Sequence, residues 1–337
     1  MALTRRSLMG LFGLAALPPR LTAEPKRLSE SPSPFTTALW FAHHFAAPGA
    51  LTAGNDRQLK LKLTAALNKS PELPWEVANE FFDKGVLKAL GDGGAPISVE
   101  KMGHLLREKC PQSRKDMFVK ARLHADLLTT QFDMIEDAHQ KRAEELVAWV
   151  VEHYRAGKPL GVIAVCTGNT RRSMLSATMG NVAAAYYGLP DVCFYSGGTD
   201  PDAINPRTVA TLKEIGLEIE PTGKEATRGK KGGANPVYSV TWGKGLATRE
   251  FSKVYSDPLN PQSGFAALLV CSEADTACPK VTGAAVRIPL PYLDPKSFDG
   301  APFESAKYAE RRDDIGRFML SAMMQARRRL ERDGTHK

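Results

Sequence analysis

The chain has 337 residues, 43% hydrophobic and 24% charged, which is the composition of a globular protein with room for a full core; no apolar run approaches the ~18 residues of a membrane span. Its net charge of +8 is unevenly placed: residues 1–23 hold three Arg and no acid, residues 24–155 hold 18 basic and 18 acidic side chains, and the surplus beyond residue 155 lies in 222–253, with seven basic and two acidic residues. A charge confined to a leader and one insert, without interleaved aromatics, excludes a nucleic-acid-binding stripe.

The first segment, 1–23, reads as a targeting signal. Thr4-Arg5-Arg6-Ser7-Leu8-Met9 leads into the apolar stretch Leu8 to Leu17, then Pro18, Pro19 and Leu21-Thr22-Ala23. A charged start, an apolar stretch too short to span and a small residue at the end form a signal of the twin-arginine type. The expectation is export, to a periplasm, of a mature chain starting near Glu24 and free of any membrane segment. Retention in the cytoplasm with an uncleaved tail is the alternative.

Residues 24–35 are rich in Ser and Pro and read as a linker opening a helical N-terminal region, 24–156. Helices are predicted from Pro74 to Leu90, stopping at Gly91, and from Ser113, with Asp116 completing a capping box, to about Leu128. Ala143, Leu146, Val147, Val150, Val151 and Tyr154 share one helix face, ended by Gly157 and Pro159. His43-His44 lacks acidic or Cys neighbours in sequence, so it reads as packed side chains and no metal site is predicted. No catalytic constellation assigns this region a function.

From Leu160 strands and helices alternate. Strands are predicted at 160–165, 192–196, 265–270 and 285–290, and helices at about 173–187, 206–215 and 303–330. Leu175, Met179, Val182 and Tyr186 line one face of the first of these helices. Such alternation predicts an α/β domain, 157–337, built on an open four-stranded parallel sheet with helices on both faces. Ligands bind such sheets at the carboxyl ends of the strands. Cys166 ends the first strand, Cys271 the third, and Asp294 follows the fourth, so all three fall on that edge.

The segment Cys166-Thr167-Gly168-Asn169-Thr170-Arg171-Arg172-Ser173 joins a buried-type strand to a helix start. A lone Cys at a strand end is commonly a small core residue. Here the Gly and Asn in the loop and the helix behind it add up to an anion site, where amide N–H groups and the helix dipole converge. A thiolate is stabilised in that field, and the planar fork of Arg172 matches two oxygens of a tetrahedral anion. Cys110 and Cys193 stand alone and read as structural. Cys271 and Cys278 have six residues between them, too many for a CxxC hook. No His lies between Tyr154 and Thr335, which argues against a Cys-His hydrolase.

These residues resemble the low-molecular-weight protein tyrosine phosphatase superfamily and are most similar, within it, to thioredoxin-coupled arsenate reductases. The resemblance covers roughly residues 160–328. It rests on the cysteine loop, Tyr195-Ser196-Gly197-Gly198-Thr199, Asn205-Pro206, Cys271-Ser272-Glu273-Ala274-Asp275 with Cys278-Pro279, and Asp294-Pro295. It implies that Cys166 attacks the bound oxyanion, that Thr167, Gly168, Asn169, Thr170, Arg171, Arg172 and Ser173 hold it, and that Asp294 protonates the leaving oxygen. Ser173 would hydrogen-bond the thiolate. The pair Cys271/Cys278 marks the reductase branch and implies a disulfide relay, with a flexible segment around Cys278 and an external dithiol of the thioredoxin type as donor. No bound cofactor is implied.

Three departures accompany the resemblance. Arg171 stands where related loops often carry a second Cys, Ala177 where some reductases carry an acid that holds potassium, and Lys296 where phosphatases tend to have an aromatic. The insert 222–253 has no counterpart in the compact family, and the alternation places it away from the active edge as a partner or packing surface. Arsenate reduction is the leading expectation. Phosphomonoester hydrolysis, of phosphotyrosine above all, and a non-catalytic oxyanion-binding module are the alternatives. Export sharpens the choice, because thioredoxin-type donors belong to reducing compartments.

Overall fold

The computed structural model describes residues 32–334 apart from 48, 92, 231 and 272–280. The expected signal segment 1–23, Lys231 of the insert and Cys278 therefore lie outside the described residues, and so does the flexible segment expected around Cys278.

The chain enters through α1 (Pro34–Phe45), capped by Ser33, whose Oγ accepts from Thr36 N. Helix α2 (Ala53–Leu67) follows, then strand β1 (Glu72–Leu73), α3 (Trp75–Phe81), α4 (Lys84–Leu90), and β2 (Ile97–Ser98), which pairs antiparallel with β1. Next come α5 (Val99–Lys109), α6 (Gln112–Asp116), α7 (Val119–Thr129) and α8 (Asp137–His153). Two predicted helices are broken. The one from Pro74 stops at Phe82, whose extended backbone bridges Ala46, and Asp83 caps a new helix by accepting from Gly85 N. The one from Ser113 breaks at Met117 and Phe118. There Met117 bridges Gly243 and Phe118 N donates to Trp242 O, so tertiary strand pairing overrides helix propensity. Helix α8 buries Ala143, Leu146, Val147 and Val150 as its periodicity requires, and Gly157 turns the chain at a φ of 75°.

The sheet is built from β3 (Leu160–Cys166), β4 (Val192–Gly198), and two further strands beyond the insert, whose three strands β5 (Glu218–Glu225), β6 (Pro236–Gly243) and β7 (Leu246–Glu250) form an antiparallel sheet of their own. With β8 (Phe265–Leu269) and β9 (Ala284–Pro289) the main sheet runs β4-β3-β8-β9, parallel throughout. Strand β8 is buried at every residue and β3 at all but Gly161, the pattern of a sheet covered on both faces. Helices α9 (Arg172–Tyr186), α10 (Pro206–Glu214) and the long α11 (Glu304–Arg332) complete the layers. From β3 the chain moves to β4 on one side and returns to β8 on the other, so the switch-point crevice opens at the end of β3, beside Cys166.

Helix α9 departs from its predicted single apolar face: all fifteen of its residues are buried. Gly180 lets it sit on β4, since a Cβ there would lie 2.4 Å from the Phe194 ring. Its outer side is covered by α11 and by α6 and α7. The helical region and the sheet share one apolar core, and residues from Ser33 onward form one compact unit.

The insert also departs from its expected position. Its last residues run back along β4, where Gly198 N donates to Lys253 O, Tyr255 N donates to Gly198 O, and Gly198 bridges Val254 in parallel. The returning chain satisfies backbone groups that the edge strand would otherwise leave open. It thereby reaches the carboxyl edge of the sheet, not the opposite one.

Candidate active site

Cys166 is the last residue of β3 and is only 3% exposed. The loop after it is shaped by what its carbonyl groups do. Those of Cys166, Thr167, Gly168 and Thr170 accept from the amides of Thr199, Asp200, Asp202 and Asn205, at 2.9–3.1 Å. Ser252 Oγ also donates to Gly168 O, and Thr208 Oγ1 to Thr170 O, each at 3.1 Å. With these carbonyls tied to the neighbouring chain, no protein group among the described residues accepts from the amide N–H of Thr167 to Arg171. This is an anion nest at the N-terminus of α9.

Asn169 is the hinge of the nest. It has a φ of 47°, the one non-glycine among the described residues in that region. Its Nδ2 donates to Ser173 Oγ at 2.8 Å and its Oδ1 accepts from Lys253 N at 2.8 Å, so the strained backbone is held from two sides. Ser173 Oγ in turn lies 3.0 Å from Cys166 Sγ. Gly197 and Gly198 explain the small-residue motif at the end of β4. A Cβ on Gly198 would come within 2.6 Å of Thr167 O, and one on Gly197 within 2.4 Å of Tyr255 Cα.

Two guanidinium groups flank the nest. Arg172, the first residue of α9, donates to Tyr292 O at 3.0 Å and pairs with Asp294 Oδ2 at 3.0 Å. Asp294 caps the 3-10 turn Pro295–Phe298 by accepting from Lys296 N. Arg171 leans away from the nest: its Nε donates to Tyr308 Oη at 2.8 Å and its Nη2 pairs with Asp299 at 3.4 Å. Tyr308 donates to Asp299 Oδ1 at 2.8 Å. Burial raises the Tyr308 phenol to about 12, with Arg171 opposing the shift and Asp299 adding to it, so the hydroxyl keeps its proton.

The predicted residues thus gather at one edge. Cys166, Thr167, Gly168, Thr170, Arg171, Arg172, Asp294 and Lys296 line a cavity of about 460 Å³, with Asp200 and residues 202–206 on its other side. Among the described residues no aromatic side chain lines it. Asn169 and Ser173 are not part of that lining: Ser173 contacts the thiol, and Asn169 reaches it only through Ser173 Oγ. Cys271 is buried just past β8, its Sγ 3.8 Å from Thr167 Oγ1. Cys278 is outside the described residues. His43 and His44 lie in the helical region, His43 against Asp56 at 2.8 Å and His44 against Trp40 O at 2.9 Å.

Sequence reasoning missed four contributors: Ser252 and Lys253 of the insert, Asp299, and Tyr308. The only signal for Ser252 and Lys253 was the basic segment that ends there. The Arg171 departure from the usual loop pattern was the one pointer to Asp299 and Tyr308. Behind the loop, Glu250 and Lys253 form a buried pair at 3.3 Å, and Glu250 also accepts from Ser196 Oγ at 3.0 Å.

Residues 161–231 match the family model described as low molecular weight phosphotyrosine protein phosphatase. This part of the chain is thus similar to the low-molecular-weight phosphatase superfamily. The superfamily comprises thiol-dependent enzymes of the phosphatase and arsenate reductase kind, and the α/β domain here has its parallel sheet. The matched stretch takes in the cysteine loop, β4 and the start of the insert. Asp294 and Cys271 lie beyond it. No curated protein matches the chain.

Proposed function

We propose that the protein is an arsenate reductase that uses Cys166 as nucleophile and Cys271 with Cys278 as a disulfide relay. The observation that carries this reading is Cys271, a buried thiol beside the residue that follows the nucleophile. A cavity without aromatic lining also suits a bare oxyanion better than an aryl ester. In the first step the Cys166 thiolate attacks arsenic, Asp294 protonates the departing oxygen, and the nest amides with Arg172 hold the added charge. Cys271 then attacks Cys166 Sγ. The As–S bond breaks, its electron pair stays on arsenic, and arsenite leaves. Cys278 attacks Cys271 and releases the Cys166 thiolate, and an external dithiol of thioredoxin type reduces the Cys271–Cys278 disulfide.

Export by the twin-arginine route belongs to the same proposal and requires a donor on the far side of the membrane. Steady-state turnover of arsenate and of an aryl phosphate by the purified chain is the test. Reduction of arsenate that is abolished in Cys271→Ser and in Cys278→Ser supports the reading. Hydrolysis of the ester that survives both substitutions, without arsenate turnover, replaces it with a phosphatase, and binding of oxyanion without either reaction replaces it with a binding module.

A further inference from the structure

We propose that Tyr308 and Arg171 are positioning residues that hold the acid-bearing segment 294–299 against the cysteine loop, an inference resting on the reading of Asp294 as the acid. Arg171 Nε, Tyr308 Oη and Asp299 close a triangle of contacts at 2.8, 2.8 and 3.4 Å. The Tyr308 hydroxyl both accepts and donates, on a side chain 1% exposed. It comes from α11, so the triangle joins three elements distant in sequence: the loop, the acid turn and the last helix.

The geometry transmits to Asp294. That residue caps the front of the turn Pro295–Phe298, and Asp299 caps its back, its amide donating to Lys296 O. Pinning Asp299 fixes one end of a four-residue turn, and the other end follows. Arg172 is the closer partner of Asp294, at 3.0 Å, but its fork is the one that must turn to an oxyanion. Arg171 stays fastened to Tyr308 and Asp299 while 4.0 Å from Asp294 Oδ1. It is the fixed cation beside the acid when Arg172 is engaged. The groups facing Asp294 are thus Arg171 and Arg172 from the loop and Lys296 from its own turn, with Asp299 and Tyr308 behind Arg171.

The test compares the full chain with its Tyr308→Phe, Asp299→Ala and Asp299→Asn variants in two measurements. The first is amide deuterium exchange. Tyr308→Phe and Asp299→Ala are expected to raise uptake in 291–299 while α11 beyond residue 312 is unchanged, and Asp299→Asn, which keeps an acceptor for Tyr308, is expected to restore protection. The second is hydrolysis of phenyl phosphate and p-nitrophenyl phosphate. The poorer leaving group needs the acid more, so Tyr308→Phe is expected to lower kcat about tenfold for the phenyl ester and about twofold for the nitrophenyl ester, with KM unchanged. Unchanged exchange in 291–299, uptake rising throughout α11, or equal loss on both esters overturns the proposal. If the parent protein hydrolyses neither ester, the exchange measurement alone decides the tether, and if it does not reduce arsenate either, the proposed function fails separately.

Discussion

The sheet region and its seam with the preceding helical region share one apolar core but differ in the polar contacts added to it. The centre of the sheet is apolar: the buried residues of β3 and β8 are Leu, Val, Ile, Ala and Phe apart from Cys166 at the edge. Where the helical region meets α9 and α11, directed polar contacts are added to the shared apolar core. Arg114 pairs with Asp126 at 2.6 Å, and Asp126 accepts from Tyr186 Oη of α9 at 2.6 Å. Arg328 of α11 donates to the carbonyls of His44 and Ala46, and His124 lies 2.8 Å from Asp313. Burial of apolar area is strong but indifferent to register, whereas fixed donors and acceptors accept one docking geometry. One region gathers reactive groups at an edge, and the other fixes where α9, which carries the loop, can sit.

The comparison breaks most easily at Cys166. Cys166→Ser is expected to lower turnover by at least about 10³-fold while the urea midpoint stays within error, because chemistry and stability are separable in the sheet region. Asp294→Asn is expected to cost about 10²-fold in kcat with a smaller change in KM, measured on the same substrate. The opposite pattern is expected for Arg114→Met. Leaving Asp126 and Tyr186 in a buried site without their cation should cost about 3–5 kcal/mol in urea unfolding, with kcat near normal in the molecules that stay folded. Equal loss of activity and stability in all three variants would erase the distinction between the regions.

Acid sharpens it further. Burial, with the nearby Arg114 charge, lowers the His44 pKa well below 6.5, so the folded state holds it neutral while the unfolded chain takes up a proton as pH falls below that value. Stability is therefore expected to decline from about pH 6.5 downward. Burial works against the Asp56 carboxylate, but His43 and Lys60 overcome it and hold its pKa below 3.8. The stability it contributes is present above that value and lost as pH falls through the lower folded one. His44→Gln should flatten the first decline and Asp56→Asn the second, read from unfolding midpoints against pH. The smallest effect expected is from Ser252→Ala, about 1 kcal/mol, for a single hydrogen bond to the loop.

The sheet was legible in the sequence because each strand is a short apolar run between turn residues, and the edge was legible because Cys166, Cys271 and Asp294 end or follow such runs. Helix boundaries in the first half were not. Met117 and Phe118 leave a helix only because β6 offers them a partner, and residues 112–128 carry no sign of a strand so far along the chain. The insert was misjudged for the same reason. Alternation fixes which edge a loop leaves from, but not that Ser252 and Lys253 return to Gly168 and Asn169. The resemblance implies Arg171 for the oxyanion, and it does line the cavity, but the phenol that its Nε reaches lies 137 residues away and no local pattern marks it.

The way the insert ends has a consequence for the history of this chain. The three strands in the crossover after α10 form a sheet of their own and pair with no strand of the parallel sheet. Once Asn169 in its strained conformation takes a hydrogen bond from Lys253, and Gly168 from Ser252, removing the insert removes the support of the loop as well. The coupling works as a ratchet: exposed positions of the insert can change, but not Asn235, which holds Ser252 through two hydrogen bonds, nor the path that brings the chain back to Lys253.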